Sequence, residues 1–171
     1  MQPASPDGEV RREPAAPTLR PALESDLDFI LRLCRKVFLE YGSYDQYVAE
    51  WFREEIVSTC IAELDSGSAG FFMLAMHPES PDGPVAELLS IAVEPELRSR
   101  GIGGALLERS IRLALDSSLR PREMRLSVAE GNARAQRMFA RRGFRIGKAV
   151  GVYPAGQRAL FMSKTLRKEG S

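Results

Sequence analysis

A chain of 171 residues with 44% hydrophobic and 27% charged side chains, 14 glycines and 2 cysteines is long enough for one domain with a sizeable core. That composition excludes collagen-like, disordered and disulfide-scaffold classes, and no apolar run reaches the roughly 20 residues that a membrane-spanning helix needs. The net charge of +1 is a cancellation: residues 1–96 carry 7 basic against 18 acidic residues, and residues 97–171 carry 17 against 5.

Residues 1–17 are polar, hold four prolines and show no periodicity and no apolar signal stretch. A disordered leader is expected there, on a cytoplasmic protein with no membrane partner. A short edge strand at 18–23, tolerant of Pro21, precedes a helix capped by Ser25, with Leu27, Ile30, Leu31, Cys34 and Phe38 at helical spacing and Gly42 at its end. A second helix over 44–57 carries Tyr47, Val48, Trp51 and Phe52 on one side. Strands at 59–64, 70–76 and 86–93, joined by turns at 65–68 and 77–84, make an antiparallel meander. A helix at 102–117, a strand at 124–128, a helix at 132–142 and strands at 144–152 and 159–165 follow, with residues 167–171 a frayed tail. This order predicts one α/β (α+β) domain over 18–166, a mixed sheet with helices packed on it. Cys34 and Cys60 lack a C-x-x-C spacing and His77 is the sole histidine, which argues for buried thiols and against a metal site.

The segment from Glu87 to Leu107 runs an apolar strand into Arg98-Ser99-Arg100-Gly101-Ile102-Gly103-Gly104 and straight on into a helix. Free N–H groups in a helix's first turn, the positive end of its dipole and glycines that admit a ligand to the main chain make such a junction an anion site, although turn chemistry alone also produces such loops. No Gly-Lys-Ser/Thr follows, as a P-loop requires, and Leu106 stands where a dinucleotide fingerprint has its third glycine. The basic half suits a phosphorylated ligand and the acidic half a cation, unless the charges simply pair across the surface. Nucleic acid fits poorly, for want of interleaved aromatics and helix-turn-helix spacing.

Arg98-Ser-Arg-Gly101-Ile-Gly103 resembles the R/Q-x-x-G-x-G/A signature of the Gcn5-related N-acetyltransferases (GNAT), and Asn132 to Phe144 is similar to that family's N-x-x-A-x-x-L/M-Y/F-x-x-x-G-F block. The likeness spans about 18–166, and its order is most similar to the ribosomal-protein alanine N-acetyltransferases. The resemblance implies a mixed, mostly antiparallel sheet in which a parallel strand pair splays at one end, with helices on both faces. It implies acetyl-CoA as cosubstrate, its pantetheine arm along the main chain of Ile91, Ala92 and Val93. The pyrophosphate would lie on the N–H groups of Ser99, Arg100, Gly101, Ile102, Gly103 and Gly104, beside Arg98. Family members often contact pantetheine through the residue at Asn132, whose position suits an N-cap equally, and Phe139 would line the thioester end of the channel. The implied activity is acetyl transfer to a primary amine of a small molecule or peptide by a monomer or homodimer; the alternative is a non-catalytic acetyl-CoA-binding module.

An amine with a pKa of roughly 10.4 (lysine side chain) or about 8 (α-amino group) must lose a proton before it attacks a thioester. A carboxylate is the usual acceptor of that proton. Glu87, the only acid in its apolar strand and six residues before Val93, is where histone-type members of the family carry their base. Isolated there, it would have a raised pKa; a solvent-facing glutamate fits the same position. Phe139 replaces the family's proton-donating tyrosine, and Ser127 replaces the glutamate that the alanine N-acetyltransferases carry, so that subfamily's catalytic pair is absent. Tyr153 either supplies the missing proton or merely packs. Tyr41, Tyr44, Tyr47 and Trp51 beside Glu50, Glu54 and Glu55 favour a cationic acceptor.

Overall fold

The structure, a computed structural model, describes residues 16–81 and 83–166. The expected leader thus lies outside the described residues apart from Ala16 and Pro17, and the tail over 167–171 lies wholly outside them. Strand β1 (Thr18–Pro21) passes through a 3-10 turn into helix α1 (Leu27–Phe38). Ser25 sits inside that turn and does not cap the helix. Asp26 does the corresponding work: its carboxylate accepts the Leu23 N–H at 2.7 Å and two bonds from the Arg20 guanidinium at 2.7 and 2.9 Å.

The Arg20 bonds hold the Asp26 carboxyl below its ordinary range, against a desolvation that acts the other way. A carboxylate depressed in the folded state adds stability above its unfolded pKa, about 3.9, and loses it as pH falls through the folded value. Asp26→Asn is therefore expected to cost about 2 kcal/mol near neutral pH. The variant should also lose less stability than the parent below about pH 4. Urea unfolding at neutral and acid pH measures both, and the same acid slope in parent and variant would contradict this role.

Helix α2 (Tyr44–Trp51) stops earlier than its apolar spacing predicts, because Val57 already belongs to strand β2 (Val57–Leu64) and pairs with Ala75. Strands β3 (Gly67–His77) and β4 (Val85–Val93) complete the meander. Helix α3 (Ile102–Asp116), strand β5 (Glu123–Ala129), helix α4 (Ala133–Ala140) and strands β6 (Arg145–Val152) and β7 (Arg158–Thr165) follow. The sheet order is β1-β2-β3-β4-β5-β7-β6. β4 and β5 run parallel, and the other neighbours are antiparallel.

Both faces of the sheet are covered at β3, which is why every residue of that strand from Ala69 to Ala75 is buried. Phe72, Leu74, Ala86, Leu88, Met124 and Leu126 pack under Leu106 and Leu107 of α3 and Phe139 of α4. Ile61, Phe71, Met73 and Ala92 pack on the opposite face against Phe29, Ile30 and Leu33 of α1 and Val48 of α2. The fold class is the expected one, mixed and mostly antiparallel with helices on both faces. Cys34 and Cys60 are free and buried, and burial pushes the Cys34 thiol up to about 12. Among the described residues no helix is long and apolar enough to cross a membrane.

Candidate active site

β4 and β5 are in register only from Val85 opposite Glu123 to Leu88 opposite Leu126. Beyond that point β4 continues to Val93 and β5 to Ala129 unpaired with one another, so the strands part. The parting begins at a bulge: Leu88 pairs with Leu74 and Ser90 with Met73, which leaves Leu89 as an extra residue. The bulge reverses the alternation of β4. Ala86 and Leu88 face the α3 core before it, and Ile91 and Val93 face that core after it. The Leu89 carbonyl accepts the Tyr44 hydroxyl at 2.7 Å, and the buried Ser90 Oγ has no partner among the described residues.

Between the parted ends lies a cavity of about 720 Å³, walled by Ile91, Val93, Ser99 and Gly103 on one side and by Gly131, Asn132 and Met138 on the other. A second cavity of about 80 Å³ is lined by Leu88, Leu126 and Phe139, which face α3 and α4, and also by Leu89, Ser127, Tyr44 and Tyr153 on the opposite side. The gap therefore passes through the sheet. Main-chain groups of β4 that face it have no ladder partner, an edge with which an extended amide-bearing ligand pairs as an added strand.

At the wide end the chain turns into α3. Lys36 of α1 fastens the approach by ion pairs to Glu94 at 2.8 Å and Glu96 at 2.7 Å. Ser99 (φ 65°) and Gly101 (φ 80°) then take left-handed conformations that curl the backbone into an anion-binding concavity. Glycine adopts that conformation freely, whereas a serine held there stores strain of the kind found at ligand sites. Ala105 is the first residue of the turn with an intrahelical partner, its N–H bonding Gly101 O at 3.0 Å. The N–H groups of Ile102, Gly103 and Gly104 are left at the positive end of the helix dipole. Arg98 reaches the Val93 carbonyl (3.4 Å) and Arg134 reaches Ser99 Oγ (3.3 Å), so two guanidinium groups flank the loop. These donors and charges suit a pyrophosphate.

Not every residue expected at this loop faces the cavity. Arg100 lines a separate depression with Thr18, Glu63 and Asp65. A Cβ at Gly104 would run into the Arg142 guanidinium, which pairs with Glu108 at 2.9 Å, so that glycine makes room for an ion pair. Gly103 and Ile102 do line the cavity, as do Ile91, Ala92, Val93, Arg98 and Ser99. Asn132 caps α4, its Oδ1 accepting the Ala135 N–H at 3.1 Å, and also borders both cavities. Phe139, 3% exposed, walls the small cavity edge-on to Phe144, with ring centroids 5.9 Å apart.

On the α1/α2 side Glu87 is neither isolated nor deeply buried. Its side chain is 44% exposed and its Oε2 lies 3.0 Å from His77 Nε2 on the neighbouring strand. The β6–β7 turn docks on the segment after α1: Gln157 donates to the Glu40 carbonyl, and the rings of Tyr41 and Tyr153 lie 5.0 Å apart. Burial pushes the phenols of Tyr44 and Tyr153 above their ordinary range and that of Tyr41 up to about 12, so all three stay protonated near neutrality. Glu50, Glu54 and Glu55 are exposed, and neither they nor Glu87 and His77 line either cavity, whereas Tyr41 borders both and Tyr44 the small one.

The sequence profile of the acetyltransferase (GNAT) family matches residues 26–144, well over half of the chain. The chain belongs to the GNAT acetyltransferase family. The acetyltransferase enzyme class and the fold read from the sequence are this family's. The L-2,4-diaminobutyric acid acetyltransferase of Nocardia farcinica (strain IFM 10152) is 31% identical over 112 residues, which is 61% of this chain and 56% of that protein. The chain thus spans little more than half the length of that curated relative. Arabidopsis thaliana NAA60 in complex with acetyl-CoA matches with a TM-score of 0.76 at 17% identity, over 87% of this chain and 98% of the other. The ribosomal-protein-S18-alanine N-acetyltransferase from Escherichia coli matches at 0.72 with 20% identity, over 91% and 97%. In this GNAT domain His77, Arg134 and Arg125 are residues that the sequence reading does not assign to the site.

Proposed function

We propose that this GNAT domain transfers an acetyl group from acetyl-CoA to a primary amine by direct attack. The observation that carries this is the gap through the sheet, with an anion-binding loop at one end and the Glu87–His77 pair on the other face. Ile102, Gly103 and Gly104 N–H groups with Arg98 and Arg134 would hold the pyrophosphate, and the free edge of β4 at Ile91 and Val93 would pair with the pantetheine amides. Acetyl-CoA supplies the thioester that a free amine attacks.

Glu87 takes the proton of the incoming ammonium, directly or through a water, and His77 Nε2 keeps its carboxylate turned toward the open face. Main-chain N–H groups of β4 facing the gap stabilise the oxyanion as the new C–N bond forms. The departing thiol has a pKa near that of cysteine, about 8.5, so it leaves readily as the C–S bond breaks. Tyr153, whose burial keeps its phenol protonated, supplies a proton from the small cavity; Phe139 contributes only shape. The Nocardia relative's diaminobutyric acid is an acceptor of this kind.

Acetyl-CoA at about a hundred times its Kd is expected to raise Tm by about 5 °C or more, since binding to the folded state alone adds roughly 2.7 kcal/mol. Differential scanning fluorimetry reads this, and an unchanged Tm at saturating acetyl-CoA would count against the site.

A further inference from the structure

Beyond Glu87 the open sheet face carries Arg125, held by Glu123, and Arg145, and we infer that the acceptor is an amino acid, a small molecule with a carboxylate close to the amine that is acetylated. This rests on the acetyltransferase reading above and names its substrate class. Across one row of the sheet, Glu87 of β4 stands opposite Arg125 of β5, Arg125 opposite Ser163 of β7, and Ser163 opposite Arg145 of β6. Neighbouring strands lie about 4.8 Å apart. The flanking Leu88, Met124, Leu126 and Met162 are buried in the α3/α4 core, so the row points to the opposite face, where Glu87 meets His77.

Opposite charges placed directly across strands ordinarily pair. Here Glu87 binds His77, while Arg125 binds Glu123 through Nε. Among the described residues the two terminal nitrogens of Arg125 have no hydrogen-bond partner, and its side chain is 43% exposed. Glu123 fixes the guanidinium and leaves its fork unused, the arrangement in which arginine takes a carboxylate through two parallel hydrogen bonds. Arg125 stands two residues before Ser127, which lines the small cavity where the strands part. An acceptor can therefore turn its ammonium to Glu87 and its carboxylate to Arg125, with Arg145 adding positive charge. A polyamine would set a second cation against both arginines.

The test is kcat/KM, followed by thiol release, for probe pairs that differ by one carboxylate: L-2,4-diaminobutyrate and 1,3-diaminopropane, L-ornithine and putrescine, L-lysine and cadaverine. The amino acid is expected to be preferred by about tenfold or more in at least one pair. In Arg125→Met that ratio should fall close to unity, with Arg125→Lys between, and the acetyl-CoA shift in Tm reports that each variant is folded. Equal kcat/KM within every pair, or a preference that survives in folded Arg125→Met, overturns this inference and leaves the acetyltransferase reading standing. Thiol release that no amine accelerates overturns that reading and the inference with it.

Discussion

Glu87→Gln is expected to lower kcat/KM for the amine by about a hundredfold near neutral pH and to leave acetyl-CoA affinity within about twofold. Glutamine keeps the length of the side chain and a polar contact for His77 Nε2, now 3.0 Å from the carboxylate, so the substitution isolates the loss of a proton acceptor. An amine with a pKa between about 8 and 10.4 is mostly ammonium at neutrality. Without the base, only the amine already deprotonated in solution can attack. The residual rate of the variant should thus rise about tenfold per pH unit until the amine's pKa is reached, closing the gap to the parent from the alkaline side. Steady-state thiol release across pH measures both profiles, and a normal rate with a parallel profile would remove Glu87 as the base.

Gly103→Asp is expected to weaken acetyl-CoA binding by at least about a hundredfold. A Cβ at this position would meet Met138 Sδ at 3.2 Å and Val93 Cγ2 at 3.7 Å, on the wall of the large cavity. The added carboxylate would stand among the N–H groups that otherwise receive the phosphates. An acid in the first turn of a helix stabilises the helix by about 0.3–1 kcal/mol, so the ligand-free variant should melt no lower than a Gly103→Ala control. Calorimetric titration decides between outcomes: loss of affinity in the aspartate variant and a much smaller effect in the alanine variant support the loop as the phosphate site, and equal affinity in all three would exclude it.

The geometry of the proposed cofactor side is legible in the sequence because it is local. A loop from Arg98 to Gly104 followed at once by a helix carries its own anion site in consecutive residues, and the Asn132 cap lies at the start of the helix it serves. Even there spacing could not tell which glycine faces a ligand: Gly103 borders the cavity, while Gly104 accommodates Arg142 from the turn just past α4. The sequence predicts too long a second helix because no proline or glycine stands in residues 52–57, and it is the pairing of Val57 with β3 that limits it.

The acceptor side depends on register. Between its turn and the bulge, the β3–β4 hairpin pairs His77 with Val85 and Ala75 with Glu87 at a constant sum of residue numbers, so the contact of His77 with Glu87 could have been found by assuming that hairpin. The row from Glu87 to Arg125 and Arg145 could not. It depends on the β4–β5 and β5–β7 pairs, whose registers no local pattern sets, and on a β6–β7 hairpin whose register shifts between Ile146 and Val150. The split in charge does not separate the two proposed sides, because the basic half of the chain supplies Arg125 and Arg145 to the Glu87 face as well as the arginines beside the loop before α3.

The most direct measurement is acetyl-CoA-dependent thiol release in the presence of primary amines, with the acetylated product weighed by mass spectrometry, in the parent and in Glu87→Gln. Amine-dependent release matched mole for mole by N-acetylated amine, and strongly reduced in the variant, is the predicted result. Acetyl-CoA that binds and protects the fold, yet is turned over at the acceptor-free rate with every amine and equally in both proteins, would contradict it and leave a domain that holds acetyl-CoA without transferring its acetyl group.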